Sequence, residues 1–434
     1  MGMVVQSSYC INNGFVFFSD ICTMSRILPF RALRPQPQLA SQVASLPYDV
    51  LNTSEARQVA GGNPYSFLHI TKSEIDLPDD VPAYEDSVYE KAKTNLSAFL
   101  SRDVLFRESK PCYYFYQLTM QGKSQTGLVA LSSIDEYDQG LIKKHEFTRP
   151  EKELDRIRHI GISGAQTGNV FLAYRSQPAI DELVTNWIST KSPVYDFTAT
   201  DQVQHKIWVI NEDATIARIS DLFATLVPCT YIADGHHRAA SAAKVRQNLT
   251  GQIPEGANYF LTTLFPSDQL RILDYNRVVT DLNGHSVSAL LETAQRSFQL
   301  ESFGKKEVLP NDPHVFGMYL DNQWYRLTSL PGSFRNDPIG QLDVTILQEN
   351  LLHPILGIGD QRTDKRIDFV GGIRGLSELE RRVNSGEMAI AFSLFPVTTD
   401  QLFSIADNGE VMPPKSTWFE PKLRDGLLTH LMEG

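Results

Sequence analysis

The sequence predicts a mixed α/β protein, with an α/β core over residues 24–285 and an α+β C-terminal domain over 286–434. Three observations predict it. Strand-length apolar runs alternate with helix-length amphipathic stretches through the first two-thirds of the chain. The rhythm changes near residue 285, after which hairpins and short helices follow one another. The chain has 434 residues and is 42% hydrophobic, enough to bury substantial cores and too apolar for wholesale disorder.

Taken in order, Ile27–Pro35 reads as a short extended segment stopped by Pro35 and Pro37. Thr53–Arg57 looks like a capped helix start, Asn63-Pro64 breaks it, and Tyr65–Thr71 alternates like a strand. Ala83–Ser101 has helical spacing. Pro111–Met120 and Gln125–Leu131 form a hairpin across Gln121-Gly122-Lys123, with Tyr114 and Tyr116 on one face and Tyr113 on the other. Thr148-Arg-Pro-Glu151 fits a capping box with proline in the first turn, which predicts a helix from about Arg149 to Ile160. Asn169–Tyr174 and His205–Asn211 read as strands and Ala179–Trp187 as a helix. Cys229–Ala233 is a short buried strand that runs through Asp234–Arg238 into an alanine-rich helix, Ala239–Asn248. Asn258–Phe265 and Leu270–Val279 complete this part. In the last third the pattern predicts helices at Ser286–Phe298, Leu342–Leu352, Ser377–Asn384 and Thr399–Ala406, with a buried strand at Met388–Phe395. A hairpin of His314–Leu320 and Trp324–Leu330 turns at Asp321-Asn322.

Forty basic and fifty-one acidic residues give a net charge of −11, which argues against a nucleic-acid sleeve. No apolar run reaches the length of a membrane span, so a cytoplasmic protein is expected. The four cysteines, Cys10, Cys22, Cys112 and Cys229, have neither disulfide-framework nor zinc spacing. Residues 1–23 lack the basic start and long apolar core of a secretory signal and read as a non-native or disordered leader.

The sharpest chemical feature is Tyr231-Ile-Ala-Asp-Gly-His-His-Arg-Ala-Ala240. A strand ends, Gly235 permits a tight turn, and a helix of small residues begins, which presents backbone N–H groups at the positive end of a helix dipole. Arg238 adds a forked cation suited to phosphate oxygens. Asp234 can cap the helix or, with a phosphate, help to hold a divalent metal. His236 and His237, being adjacent, point to different sides and could each touch a phosphate. Read alone, the pentad is equally a charged helix cap. Phe369-Val-Gly-Gly-Ile373 has neither Rossmann nor Walker spacing.

A strand followed by Asp-Gly-His-His-Arg and a small-residue helix resembles the nucleotide-phosphate motif of the ParB/sulfiredoxin-like superfamily, and within it that of the free-serine kinases. A longer set of segments resembles the bacterial family named domain of unknown function 1015. These are Pro29–Pro35, Ser45–Val50, Asn63-Pro64 with Phe67-Leu68, Lys144–Thr148 with Lys152–Arg156, Ala233–Arg238 and Met412–Lys422. The resemblance runs from Met24 to the C-terminus. It implies a ParB/sulfiredoxin-like core and phosphoryl transfer to a small hydroxyl, that of free L-serine above all, from a nucleotide or pyrophosphate with Mg2+.

Under that resemblance the Asp234–Arg238 turn cradles phosphate. Glu146, set among Lys143, Lys144 and His145, is the first choice for the base that accepts the hydroxyl proton, and Asp49 is the second. Lys144 could also grip phosphate. Glu151 with Asp155, and Lys152 with Arg156, share faces at i,i+4 and are otherwise a solvated, salt-bridged surface. His145, Thr148, Lys152, Asp155 and Arg156 are the candidates for the substrate site. Lys415-Ser416-Thr417, in a loop anchored by Met412-Pro-Pro and Trp418-Phe419, suits phosphate or a substrate carboxylate. Two other readings stay open: a ParB-like nucleotide-binding regulator without transfer, and a phosphate-ester hydrolase. Oligomeric state is not legible.

Overall fold

Alternation along the strand Tyr113–Met120 places Tyr114, Tyr116 and Leu118 in one apolar cluster, and Tyr113 and Phe115 in another. That segregation makes a sheet buried on both faces. The computed structural model describes residues 25–433; the leader expected at 1–23, with Cys10 and Cys22, lies outside the described residues.

The first sheet runs in the order Ile142–Lys143, Thr230–Asp234, Val170–Tyr174, Tyr259–Pro266, Lys123–Ser133, Tyr113–Met120, Gln204–Ile210, Tyr195–Thr198, with Ile27–Leu28 added to Lys123–Ser133. It is mixed: Thr230–Asp234 runs parallel to Ile142–Lys143, Tyr259–Pro266 parallel to Val170–Tyr174, and the remaining pairs are antiparallel. Helices Pro178–Thr190, Asp213–Leu226 and His236–Asn248 cover one face. The other face joins an apolar cluster shared with a second sheet, entirely antiparallel. Its order is Phe298–Gly304, Gln323–Ser329, Val315–Leu320, Ile390–Ser393, Tyr275–Val279, Ile367–Gly371. The fold is therefore mixed α/β. The second sheet takes in Tyr275–Val279, ahead of residue 285. The chain's last stretch returns to the first unit, where His430–Leu431 pairs with Ala165–Gln166 and Thr429 bridges Leu33.

Several local readings are corrected. Tyr65–Thr71 is not a strand: the Asn63 side chain accepts from Tyr65 N, and Leu68–Thr71 closes a helical turn that buries Phe67, Leu68, Ile70 and Thr71 together. Thr148 makes no capping box. Arg149 is the N-cap, Pro150 opens the helix Pro150–Ser163, and Thr148 Oγ1 donates to the buried Glu153 carboxylate instead. The helix after the glycine turn starts at His236, three residues early, because Gly235 takes the left-handed conformation (φ 102°) that ends the strand abruptly. Leu342–Leu352 divides into Asp343–Leu347 and a wider turn, Gln348–Leu352. The helix Asp213–Leu226 and the strands Phe298–Gly304 and Ile367–Gly371 carry no pattern that local spacing exposed.

Two helices matter for the site. In His236–Asn248, Ala239, Ala240, Ser241, Ala242 and Ala243 are all buried, so small side chains let its backbone close on the sheet and on Pro150–Ser163. Ser241 Oγ donates to Glu153 O at 3.1 Å across that contact. Asp86–Ser101 buries Val88, Tyr89, Ala92, Leu96 and Phe99, a helical stripe facing Pro150–Ser163. Among the described residues no helix is long and apolar enough to cross a membrane.

Candidate functional site

The strand Thr230–Asp234 delivers Asp234 and Gly235 to the floor of a cleft of about 930 Å³. Gly235 is the one residue type that fits. At φ 102° any Cβ would be strained, and it would lie 3.0 Å from Arg238 Nε. Among the described residues no side chain caps the helix that follows, so its first-turn N–H groups have no side-chain acceptor.

Asp234 accepts from Lys422 Nζ at 3.1 Å and faces Arg238 Nη2 at 3.4 Å. Burial would raise its carboxyl, but Lys422 and Arg238 outweigh burial and hold it well below the usual carboxylate range. Both oxygens thus face cations, so a divalent ion at Asp234, as expected above, would have to displace Lys422 or Arg238. Among the described residues no three His, Cys, Asp or Glu side chains converge to hold a metal. Magnesium commonly rests on one or two carboxylates and the substrate's own phosphates, and Asp49 on the cleft wall fits that smaller demand.

Arg238 is 8% exposed; one nitrogen donates to Asn169 O, while its Nε has no partner among the described residues. Burial works against its charge, yet Asp234, Asp49 and Asp425 keep the guanidinium protonated. Asp425 lies beneath it, 2% exposed, and burial pushes its carboxyl up to about 7. His236 and His237 do diverge. His236 packs edge-to-face on His145, ring centres 4.5 Å apart, and His237 Nε2 accepts from Arg149 N at 3.0 Å. Burial drives His145 down to about 4 and His236 well below its ordinary value, so both are neutral imidazoles at neutral pH. Glu146 Oε2 lies 3.8 Å from His236 Nδ1. The Glu146 side chain is 42% exposed; partial desolvation by the cleft raises its carboxyl, against the pull of Lys415.

The structure brings Asp49, His145, Glu146, Thr148, Lys152, Asp155, Arg156, Asp234–Arg238, Lys415, Ser416 and Thr417 onto this one cleft. Lys144 is not among them: it follows the strand Ile142–Lys143, and its ammonium lies 3.5 Å from the centre of the Tyr137 ring. Glu151 is exposed and also outside, so its i,i+4 relation to the buried Asp155 joins a solvated position to an inner one. Lys152 Nζ donates to Tyr84 OH at the rim. Ser416 Oγ donates to Pro413 O at 2.6 Å, which stiffens the loop. Cys229 Sγ contacts Tyr231 OH and takes no part.

Sequence reasoning missed Lys422, Asp425 and Arg277. Arg277 is fully buried and, among the described residues, has no acidic partner; it donates to the carbonyls of Tyr275, Pro414 and Lys415. Lys422 closes the Met412–Lys422 segment singled out above, but nothing local marks it as the partner of a residue 188 positions earlier.

Comparison with solved structures finds a free serine kinase variant in complex with AMP. It is 14% identical, with a TM-score of 0.35, over 69% of this chain and 92% of that one. A conserved hypothetical protein from Pyrococcus furiosus is 16% identical, TM-score 0.35, over 70% and 95%. SbnI from Staphylococcus aureus, with a C-terminal truncation, is 12% identical, TM-score 0.31, over 70% and 87%. No curated protein matches. The model of the family described as "Protein of unknown function (DUF1015)" matches residues 27–345, and the chain belongs to that family.

Proposed function

We propose that this chain is a phosphotransferase that moves a phosphoryl group from a nucleotide or pyrophosphate to a small hydroxyl acceptor, free L-serine, on a ParB/sulfiredoxin-like core. One observation carries the reading: an uncapped helix N-terminus opens, through a left-handed glycine, into a cleft where Lys422, Lys415 and Arg238 converge beside a carboxylate of raised proton affinity, Glu146. Phosphoryl transfer asks for little else, since catalysis there is mostly positioning and charge neutralisation.

In this reading the N–H groups of His236 and His237 and the Arg238 guanidinium cradle the donor's phosphates. Lys422, fixed by Asp234, and Lys415 offset the charge on the transferring group. Glu146 accepts the acceptor's hydroxyl proton, and its raised pKa brings it closer to neutrality, where a general base works best. Asp49 lies on the same wall as a second carboxylate. Magnesium, when bound, would be held by Asp49 together with the donor and would offset the negative charge of the phosphates. The 411–419 loop covers the cleft from the side of the second sheet, which supports exclusion of water from the donor.

Phosphorus NMR of the protein with L-serine and magnesium, run in parallel with ATP, ADP and pyrophosphate, tests the proposal. A phosphoserine resonance with one donor is the expected result. No product with any donor, together with nucleotide line broadening that Arg238→Ala abolishes, would replace it by the regulator reading; release of inorganic phosphate alone would point to a hydrolase.

A further inference from the structure

Apart from Asp49, one wall of the cleft carries groups that the phosphate chemistry above does not use. It is built by residues 48–53, by residues 71–74, and by the facing sides of Asp86–Ser101 and Pro150–Ser163. Two ion pairs sit in it. Lys72 Nζ lies 2.9 Å from Glu74 Oε1, with side chains 13% and 9% exposed, and Arg156 Nη2 lies 2.8 Å from Asp155 Oδ2, with side chains 9% and 8% exposed. Desolvating such charges costs several kcal/mol per ion. Each pair joins residues one or two apart in sequence, so neither pair itself ties distant parts of the chain together. Packing alone would be served as well by apolar side chains.

Neither pair exhausts its groups. Glu74 Oε1 also accepts from Thr53 Oγ1, and Asp155 Oδ1 from Tyr89 OH, but among the described residues Glu74 Oε2 and Arg156 Nη1 have no hydrogen-bond partner. The Arg156 guanidinium carbon lies 3.9 Å from the centre of the Tyr48 ring. His159 supplies an independent observation. It lines the same cleft, is 3% exposed, and its Nε2 bonds Ile70 O at 2.9 Å, which places the ring proton there. Its Nδ1 is therefore a buried acceptor with no partner among the described residues. An unmet buried acceptor costs roughly 1–3 kcal/mol unless a donor arrives.

We propose that this wall is the binding subsite of a small zwitterion, a free α-amino acid, with Glu74 and His159 Nδ1 receiving its ammonium and Arg156 its carboxylate. A ligand of one charge would meet only half of these groups. As the identity of an acceptor this rests on the phosphotransferase reading; as a binding site it does not.

Calorimetric titration of the full chain tests it first by varying the ligand, which leaves the fold untouched. L-serine should bind saturably. Ethanolamine, which lacks the carboxylate, and N-acetyl-L-serine, which lacks the ammonium, should each bind at least about tenfold more weakly, a loss of about 1.4 kcal/mol or more. Glu74→Gln should weaken L-serine by a similar factor and leave pyrophosphate binding unchanged. No L-serine binding at millimolar concentration, or equal binding of all three ligands, would overturn the proposal. Selective amino-acid binding without phosphoserine in the NMR experiment would uphold the subsite and defeat the transferase reading. Phosphoryl transfer to ethanolamine as readily as to L-serine would do the reverse.

Discussion

Arg277 Nη2 donates to the backbone carbonyl of Lys415 at 3.0 Å, from a strand position with no solvent exposure. It also reaches Pro414 O, and Lys415 itself has a left-handed backbone, φ 57°. A buried arginine without a carboxylate is costly; burial pulls Arg277 down to about 10. The compensation is three carbonyls gathered on one guanidinium, which ties a strand of the second sheet to the loop that carries Lys415. Arg277→Met should leave those carbonyls short of donors and lower stability by about 1–3 kcal/mol. It should also weaken pyrophosphate binding as much as Lys415→Ala does, and the double variant should lose little more than either alone. Additive losses in titration calorimetry would show that Arg277 acts on the fold and not through Lys415.

Lys422 and Asp234 form the second long-range tie. Lys422→Met leaves Asp234 facing Arg238 alone, and the carboxyl should then titrate closer to its ordinary value. The two side chains are 18% and 32% exposed, so solvent screens part of the loss, and about 1–2 kcal/mol of stability at neutral pH is expected. Because the pair holds the carboxyl low, its stabilisation is present above the ordinary pKa of 3.8 and fades as pH falls below that value. Chemical denaturation of wild type and variant at pH 7 and pH 3 should show the difference shrinking at the lower pH.

Glu146→Gln keeps size and hydrogen bonding but cannot accept a proton. Turnover should fall by about 10²–10⁴-fold while pyrophosphate affinity and melting temperature stay near wild type. In wild type the rate should drop as pH falls through the raised pKa of Glu146, and the residual rate of the variant should lack that limb. A fully active variant would transfer the role to Asp49.

Asp425 predicts a stability effect of opposite sign. Its folded-state pKa, about 7, exceeds the unfolded value, so the folded protein holds a proton that the unfolded chain releases. Its contribution is whole below about pH 4 and is lost as pH rises to 7. Arg238, Asp49, Arg156 and the Tyr48 N–H are the groups that bear on it. Asp425→Asn, neutral at every pH, should stabilise the protein at pH 7 relative to pH 5 when each is compared with wild type. A stability difference that does not vary over this interval, measured by urea denaturation, would place the Asp425 pKa elsewhere.

Much of the local structure was legible because it rests on chemistry within a few residues. The tight turn at Gln121-Gly122 needs two positive φ angles, Pro150 starts a helix because it has no N–H to lose, and Gly235 ends a strand because nothing larger fits. By itself the sequence determined these turns, the alternation that buries both faces of the first sheet, and the chemistry available at Asp234–Arg238, Glu146 and Lys415–Thr417. Only the tertiary structure decided which charges meet. It turned Lys144 onto Tyr137 and away from the cleft, gave Asp234 to Lys422, placed Asp425 under Arg238, and set Arg277 behind Lys415. For the last three the physical reason is separation along the chain: those partners lie 188, 187 and 138 positions apart, and their pairing depends on how two sheets share one apolar core, which no local propensity encodes.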